Sequence, residues 1–378
     1  MRRSRTLVLL SAAGLAAGLL GAAPVAAGHR GGGAPQVVAK GLDNPRGLAF
    51  GPHGVLYVTE AGSGGDGPCF AGPEGDEVCW GASGAITAVR GHHKKRVVTK
   101  IGSLAAPDGS QAIGPSDISF SRGKAYFTVG LGADPRMRAQ LPRLGQKTNG
   151  WLLKKSWHRP KGVADVARFE LAKDPDKAGP DSNPNSVLAG RHGQVVVDSG
   201  GNTLLQVAHG KIRVLAKFPA REVPAPDFLG LPPGSKIPMQ SVPTSVVKGP
   251  DGAYYVGELT GFPFPQGKAR VYKVKPGHKP KVVASGFTNV IDIGFHHGKL
   301  YVLEIAHAGL LNVEQDPRGA LYRVGHHGSK KLIKHDGLVV PGGLALRGGK
   351  AYISNCSTCP ADGSSPLGTG HLLRVPLR

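Results

Sequence analysis

Five oxygen-bearing side chains end five short apolar stretches of this chain and could form a metal centre. Each stretch is rich in β-branched or aromatic residues, and the residues that end them are Glu60, Asp198, Glu258, Glu304 and Asn355. The equivalent residue of a sixth stretch is Val129. If these strands converge, the five side chains could bind Ca²⁺, which prefers hard oxygen ligands. The structural alternative is that they accept hydrogen bonds from backbone amides of the next repeat's first strand.

A second group of polar residues lies just before those stretches. Asn185, Thr244, Asn289 and Asp292 occur near the starts of the preceding strands and could complete a metal centre or contact a ligand. A metal-polarised ester carbonyl, with His307 or Asp292 activating water, would make a lactonase-type or esterase-type hydrolase. The sequence contains no G-x-S-x-G, H-E-x-x-H or P-loop motif, so the residues leave open whether the protein is an enzyme.

The four cysteines form two close pairs, Cys69 with Cys79 and Cys356 with Cys359. In an exported chain, two disulfides are the default interpretation. Local bridges within each pair are preferred, while bridges between the two loops remain an alternative.

The formal net charge is +22, and several short turns carry clusters of basic residues. Three turns carry most of the basic clusters: residues 90–96, 277–281 and 325–331. Such turns could bind an anionic cell-wall polymer, or they could simply keep the protein soluble. Specific nucleic-acid binding is not expected, because exposed aromatic residues for base stacking do not accompany the charge.

The elements that must position these residues come from a unit that recurs six times. Each unit opens with a short strand that begins with proline in most repeats, turns at glycine, and continues into the apolar stretch described above. The openings are residues 44–48, 114–118, 183–187, 242–246, 289–293 and 340–344. Third and fourth strands follow, for example residues 84–89 and 96–100 in the first unit. Four antiparallel strands per unit predict an all-β fold, a six-bladed β-propeller.

The sixth unit ends after its third strand, and its missing partner lies near the other terminus. Gln36–Leu42 closely repeats Lys281–Phe287, which is the fourth strand of another unit. We therefore expect the N-terminal strand to pair in the last blade and to close the ring, which removes an exposed sheet edge.

The first 33 residues are expected to lie outside the propeller. A basic start, an apolar run from Leu7 to Leu20 and small residues up to Ala27 are typical of a cleaved secretory signal peptide over residues 1–27. Residues 28–33 form a Gly-rich leader, and residues 34–378 form the propeller. The sequence predicts a secreted monomer with no transmembrane segment; it does not distinguish general from twin-arginine export.

Nearly all insertions are predicted on one face, which we call the loop face. They cover residues 62–83, 131–150, 220–240, 260–267, 306–319 and 357–370. Loops on a rigid scaffold are where binding residues concentrate. Gln240, Phe262 and Phe264, with residues 223–238, are expected to contact a small molecule or peptide there.

Several segments resemble the ScyD/ScyE family of exported propellers. They are Asp181–Pro184, Leu229–Gly234, Met239–Ser245, Tyr254–Pro265 and Tyr301–Ala306. The resemblance implies a six-bladed propeller of the NHL or gluconolactonase-like type, with no settled activity and no set of catalytic residues. This chain departs from it in the turns, where Gly-Pro-Asp-Gly is mostly replaced by His, Arg and Lys.

The expected function is therefore binding on the loop face. The alternatives are a Ca²⁺-dependent hydrolase at the mouth of the central channel, which would make calcium the cofactor, and a cell-wall adhesin that acts through the basic turns.

Overall fold

The six repeats form six antiparallel blades in the computed structural model, which describes residues 34–72, 75–91, 93–156, 160–325 and 328–377. Each blade has four strands, and blade 1 carries one additional short strand. The predicted signal peptide and Gly-rich leader lie outside the described residues, as do His92, His326 and His327 of the basic turns. Among the described helices, none is long and apolar enough to cross a membrane.

The strands follow one another along the chain blade by blade. They begin with β1 (Gln36–Leu42), and blade 1 contains β2 (Pro45–Phe50), β3 (Leu56–Glu60), β4 (Cys69–Ala71), β5 (Glu77–Arg90) and β6 (His93–Ala105). Blade 2 contains β7 (Pro115–Ser121), β8 (Lys124–Val129), β9 (Trp151–Lys154) and β10 (Lys161–Asp165). Blade 3 contains β11 (Pro184–Gly190), β12 (Gly193–Asp198), β13 (Thr203–Ala208) and β14 (Lys211–Lys217), and a hairpin of β15 (Arg221–Pro224) and β16 (Lys236–Met239) follows it. Blade 4 contains β17 (Pro243–Lys248), β18 (Tyr254–Glu258), β19 (Ala269–Val274) and β20 (Lys281–Phe287). Blade 5 contains β21 (Val290–His296), β22 (Lys299–Glu304), β23 (Ala320–Val324) and β24 (Lys330–Lys334), and blade 6 contains β25 (Gly343–Arg347), β26 (Lys350–Asn355) and β27 (Gly370–Pro376).

Short helices occupy several loops. The α-helices are α1 (Arg143–Gln146) and α2 (Val166–Lys173), and the 3-10 helices are Pro52–Gly54, Pro135–Gln140, Asp227–Leu229 and Leu310–Asn312.

The six blades form a closed ring whose inner wall is made by their first strands. In order around the ring, β2, β7, β11, β17, β21 and β25 each contact the next, and β25 contacts β2 again. The predicted closure is confirmed, because β1 pairs antiparallel with β27 and puts Gln36 opposite Arg374 and Leu42 opposite Gly370. The sheet order β1-β27-β26-β25 completes blade 6 from both ends of the propeller.

The core lies between neighbouring blades, because the second strand of each blade is covered on both faces. Ile86 of blade 1 packs with Ile118 and Phe127 of blade 2, and Phe287 of blade 4 packs with Val302 of blade 5. This explains why the second strands are nearly continuous runs of apolar residues rather than alternating ones.

The structure adds regular elements to loops that the sequence predicted as insertions. The predicted third strand of blade 1, residues 84–89, is only the C-terminal part of β5. The N-terminal part of β5 pairs with β4, so that Cys69 faces Cys79. The Cys69–Cys79 and Cys356–Cys359 sulfurs are 1.98 and 1.95 Å apart, which supports the two local bridges. Helix α2, in the link from blade 2 to blade 3, was not expected from the sequence.

Candidate functional site

In blades 1, 3, 5 and 6 the side chain that ends the second strand anchors the segment that enters the blade. Glu60 Oε2 accepts from Asp43 N at 2.8 Å, Asp198 Oδ1 from Asn183 N at 2.6 Å, and Glu304 Oε1 from Thr288 N at 2.9 Å. Asn355 Oδ1 accepts from Val339 N at 2.8 Å in the same way. Each donor precedes the first strand of the same blade, not of the next blade as expected.

Two strand-end carboxylates also form ion pairs. Glu258 Oε2 lies 2.6 Å from Arg221 Nη2, while its Oε1 accepts from the Ser241 and Tyr272 hydroxyls at 2.7 and 2.8 Å. Glu60 lies 2.6 Å from Arg96 Nη2. Both carboxylates are almost completely buried, so these partners replace the water that burial removes.

The predicted metal ligands are not brought together as one centre. In the described residues, the groups of three or more acidic, histidine or cysteine side chains that lie within 4.8 Å of one another do not include Glu60, Asp198, Glu258 or Glu304. Burial raises the pKa of Asp198 and of Glu304 to about 7 each. An amide or hydroxyl donor already contacts at least one oxygen of each of these four carboxylates.

Three residues predicted to bind ligand form hydrogen bonds that connect neighbouring blades. Asn185 Nδ2 donates to Thr244 O at 2.8 Å, and Thr244 Oγ1 donates to Val290 O at 2.8 Å. Asn289 donates to Leu259 O at 3.1 Å and accepts from Leu310 N at 3.0 Å. Thr244 and Asn289 are buried, so these hydrogen bonds hold the inner ring in register.

Asp292 also has a structural environment on the inner ring. Its Oδ2 accepts from Leu344 N of blade 6 at 2.7 Å, and its Oδ1 accepts from Ile293 N at 2.7 Å. Burial, and then the charge of Asp117, raise its pKa well above the usual value. Asp117 makes the equivalent contact from blade 2 to blade 3, accepting from Val187 N at 2.9 Å.

His307, the other predicted base, lies on the loop face beside a strand-end carboxylate. Its Nδ1 is 3.5 Å from Glu304 Oε2 and 3.4 Å from the Tyr322 hydroxyl. Its ring centroid is 4.8 Å from that of His335. Burial and the neighbouring His335 lower its pKa, which favours the neutral imidazole that a general base requires.

A polar cleft of about 280 Å³ opens beside blade 3, lined mainly by the segments that enter and leave this blade and by its loop at residues 199–202. Its lining includes the side chains of Asp181, Asn183, Ser199, Asn202 and Gln240. Asn202 organises this wall: its Nδ2 donates to Gln240 Oε1 at 3.0 Å, and its Oδ1 accepts from Val242 N at 2.9 Å. Asn183 Oδ1 is buried without a hydrogen-bond partner among the described residues. Of these five residues, only Gln240 was predicted from the sequence as a ligand contact.

An exposed apolar ridge borders the cleft, defined by Phe228, Leu229, Leu231, Phe262 and Phe264. Phe228 and Phe262 are 67% and 42% exposed, and their ring centroids are 6.2 Å apart. The ridge and the cleft adjoin because Gly261, which precedes Phe262, donates its N–H to Gln240 O at 2.8 Å. On its other side, Gln266 donates to Ala308 O at 2.7 Å, next to His307.

The described parts of the basic turns are exposed, but some of their lysines have local partners. Lys94 Nζ donates to Gly41 O at 2.5 Å, and Lys330 Nζ donates to Gly286 O. Lys95 and Lys331 are exposed and remain candidates for binding an anionic polymer.

The sequence did not identify Asn202 and the acidic residues close to it as functional residues, because Asn202 and the acids come from separate segments of the chain. The only sequence signal was a cluster of acids, Glu170, Asp174 and Asp176, in a chain with just 25 acidic residues.

No protein-family model and no curated protein matches this chain. Solved structures do match over most of its length, at low identity. Virginiamycin B lyase from Staphylococcus aureus is 12% identical over 89% of this chain and 96% of its own, with a TM-score of 0.44. The calcium-binding protein regucalcin from Agrobacterium tumefaciens is 13% identical over 91% and 95%, with a TM-score of 0.49. Aldose sugar dehydrogenase from Streptomyces coelicolor in its PQQ-bound form is 13% identical over 90% and 96%, with a TM-score of 0.35. The fold assignment itself rests on the strand pairing described above.

Proposed function

We propose that this protein is a secreted binding propeller of the ScyD/ScyE type that holds an amine-bearing or amide-bearing small molecule or peptide in the cleft. The proposal rests on one observation, that a polar cleft lies next to an exposed aromatic ridge. Amide, hydroxyl and carboxylate groups fix the orientation of a ligand, and an apolar wall supplies contact area. Asp181 gives the cleft a negative group in a strongly basic protein, which favours a cationic or hydrogen-bond-donating group on the ligand.

The segments that resemble the ScyD/ScyE family support this assignment by their position. Asp181–Pro184 and Met239–Ser245 contribute to the cleft, while Leu229–Gly234 and Tyr254–Pro265 contribute to the ridge. The predicted signal peptide and the two disulfides fit export, since disulfides persist in oxidising compartments.

The test is ligand-observed NMR with the dipeptides Lys-Phe, Gly-Phe and Glu-Phe as probes. We expect saturation transfer to Lys-Phe, weaker transfer to Glu-Phe, and loss of both signals in Gln240→Ala and Phe262→Ser. Leu311→Ser is the matched control, because Leu311 is 49% exposed and lies in another loop-face helix. Absence of transfer to all three probes, or equal loss in Leu311→Ser, would refute the proposal.

A second candidate function is hydrolysis at the Glu304–His307 pair. Glu304 can orient the imidazole, as the third group does in nucleophile–base–orienter arrangements, and leave Nε2 free to activate water. This proposal predicts turnover of a simple lactone or ester that His307→Gln abolishes and His53→Gln, in a turn of blade 1, does not. Equal activity in both variants would exclude it.

A further inference from the structure

Three carboxylates to which the sequence assigned no role lie together beneath the cleft. Glu170, Asp174 and Asp176 place their oxygens within 4.8 Å of one another. Glu170 belongs to helix α2, while Asp174 and Asp176 belong to the segment that leaves it. Asn202 connects the cluster to the cleft, because its Nδ2 donates to Asp176 Oδ2 at 2.9 Å.

The cluster contains a carboxylate that is both buried and unpartnered. Glu170 is 0% exposed, and neither Oε1 nor Oε2 has a hydrogen-bond partner in the described structure. Asp174 Oδ1 is also buried without a partner there. Burying a charged oxygen without a compensating contact is costly, so three such atoms in one carboxylate cluster indicate a missing positive partner.

Nearby negative charges increase the need for a positive partner at this cluster. Asp181 and Asp198 also lie close enough to repel Glu170. In the residues described, none of these five acids forms a salt bridge. Buried Glu60 and Glu258, by contrast, each have an arginine.

The local backbone holds the cluster in place. Asp165 caps α2 by accepting from Arg168 N at 3.0 Å, and Arg138 holds Asp165 at 2.6 Å. The helix ends at Asp174, whose left-handed conformation (φ 39°) turns the following residues back over Glu170. Gly201 covers the carboxylate so closely that a Cβ there would lie 2.5 Å from Glu170 Oε2.

We propose that Glu170, Asp174 and Asp176 bind a Ca²⁺ ion. The candidate ligands are all carboxylate oxygens, which suit a hard cation, and they include no imidazole or thiolate that would favour zinc. The inference is independent of the cleft ligand. Its site also differs from the strand-end carboxylates, each of which accepts a hydrogen bond from an amide or hydroxyl donor.

The experiment is isothermal titration calorimetry of the chelator-treated protein with CaCl₂. We expect one site with a dissociation constant of about 10⁻³ M or tighter, the range of extracellular calcium modules. Asp176→Asn should weaken binding roughly tenfold or more, because affinity follows the charge count of the ligands. Glu170→Gln should abolish it. If Glu170→Gln does not fold, Asp176→Asn, whose side chain is not fully buried, still tests the site.

Two matched variants distinguish this site from the remaining carboxylates of the protein. Glu304→Gln removes a strand-end carboxylate and Glu222→Gln removes an exposed one, and both should bind Ca²⁺ as the unaltered protein does. Absence of binding heat up to about 10 mM Ca²⁺ would overturn the proposal. Binding that is lost in Glu304→Gln but kept in Asp176→Asn would also overturn it and would place calcium at the strand ends.

Discussion

Replacing Arg221 with methionine should destabilise the propeller in a pH-dependent way. Arg221 is the cationic partner of Glu258, which is 0% exposed. Removing one partner of a buried pair costs about 3–5 kcal/mol. Because the Ser241 and Tyr272 hydroxyls still donate to Glu258 Oε1, we expect about 3 kcal/mol at pH 8, the lower end of that range.

The pH dependence follows from protonation of Glu258. Burial already raises its pKa above the usual 4.5, against the opposing effect of Arg221. Without Arg221 the folded-state pKa rises further, so the folded protein binds a proton that the unfolded chain does not. The variant should therefore lose stability as pH rises above about 4.5, and near pH 5 its penalty should shrink to about 1 kcal/mol.

The assay is urea denaturation of both proteins at pH 5 and pH 8. Arg318→Met is the control, because Arg318 pairs with Asp316 at the exposed surface and its loss should leave the midpoint nearly unchanged. A pH-independent loss in Arg221→Met, or an equal loss in the control, would refute the reasoning. A loss of stability that appears only when a chelator is added would instead indicate that Glu258 binds a metal ion.

Three further predictions concern the strand-end acid Glu304, the strand that closes the ring and the basic turns. The raised folded-state pKa of Glu304 favours folding at low pH, so the free energy of unfolding should fall between pH 4.5 and 7, by up to about 3 kcal/mol. Glu304→Gln should remove this fall, and an unchanged pH profile would contradict the prediction. Leu42→Ala should cost about 2–5 kcal/mol in denaturation, since Leu42 is 1% exposed where β1 closes the ring, whereas Val37→Ala, at 45% exposure, should change little. Lys95→Gln combined with Lys331→Gln should elute from a polyglutamate resin at lower salt; salt-independent retention would exclude the adhesin hypothesis.

The blade pattern could be predicted because its signals are local. Turn glycines, apolar second strands and the match between Gln36–Leu42 and Lys281–Phe287 all occur in contiguous sequence, and the ring follows from repeating them. Gln240 and the aromatic residues Phe262 and Phe264 were also predicted on the loop face, since insertions mark that face in the sequence.

The roles of the polar residues could not be predicted in the same way. An acid at a strand end has the same sequence pattern whether it binds a cation or accepts a hydrogen bond from an amide. The hydrogen bond from Thr288 N to Glu304 is formed only in the folded chain. Asn185 and Thr244 likewise occupy repeat positions at which a ligand contact was expected. Only the folded chain shows that they donate hydrogen bonds to neighbouring blades.

Sequence alone therefore determined the number of blades, their strands and the closure, because periodic burial and turn chemistry act over a few residues. Tertiary structure decided which carboxylates are satisfied and which are not. Among the described residues Glu170 has no hydrogen-bond partner, because the turn at Asp174 and the loop at Gly201 of blade 3 enclose it. Desolvation depends on all neighbours in space, and those neighbours are distant in the chain.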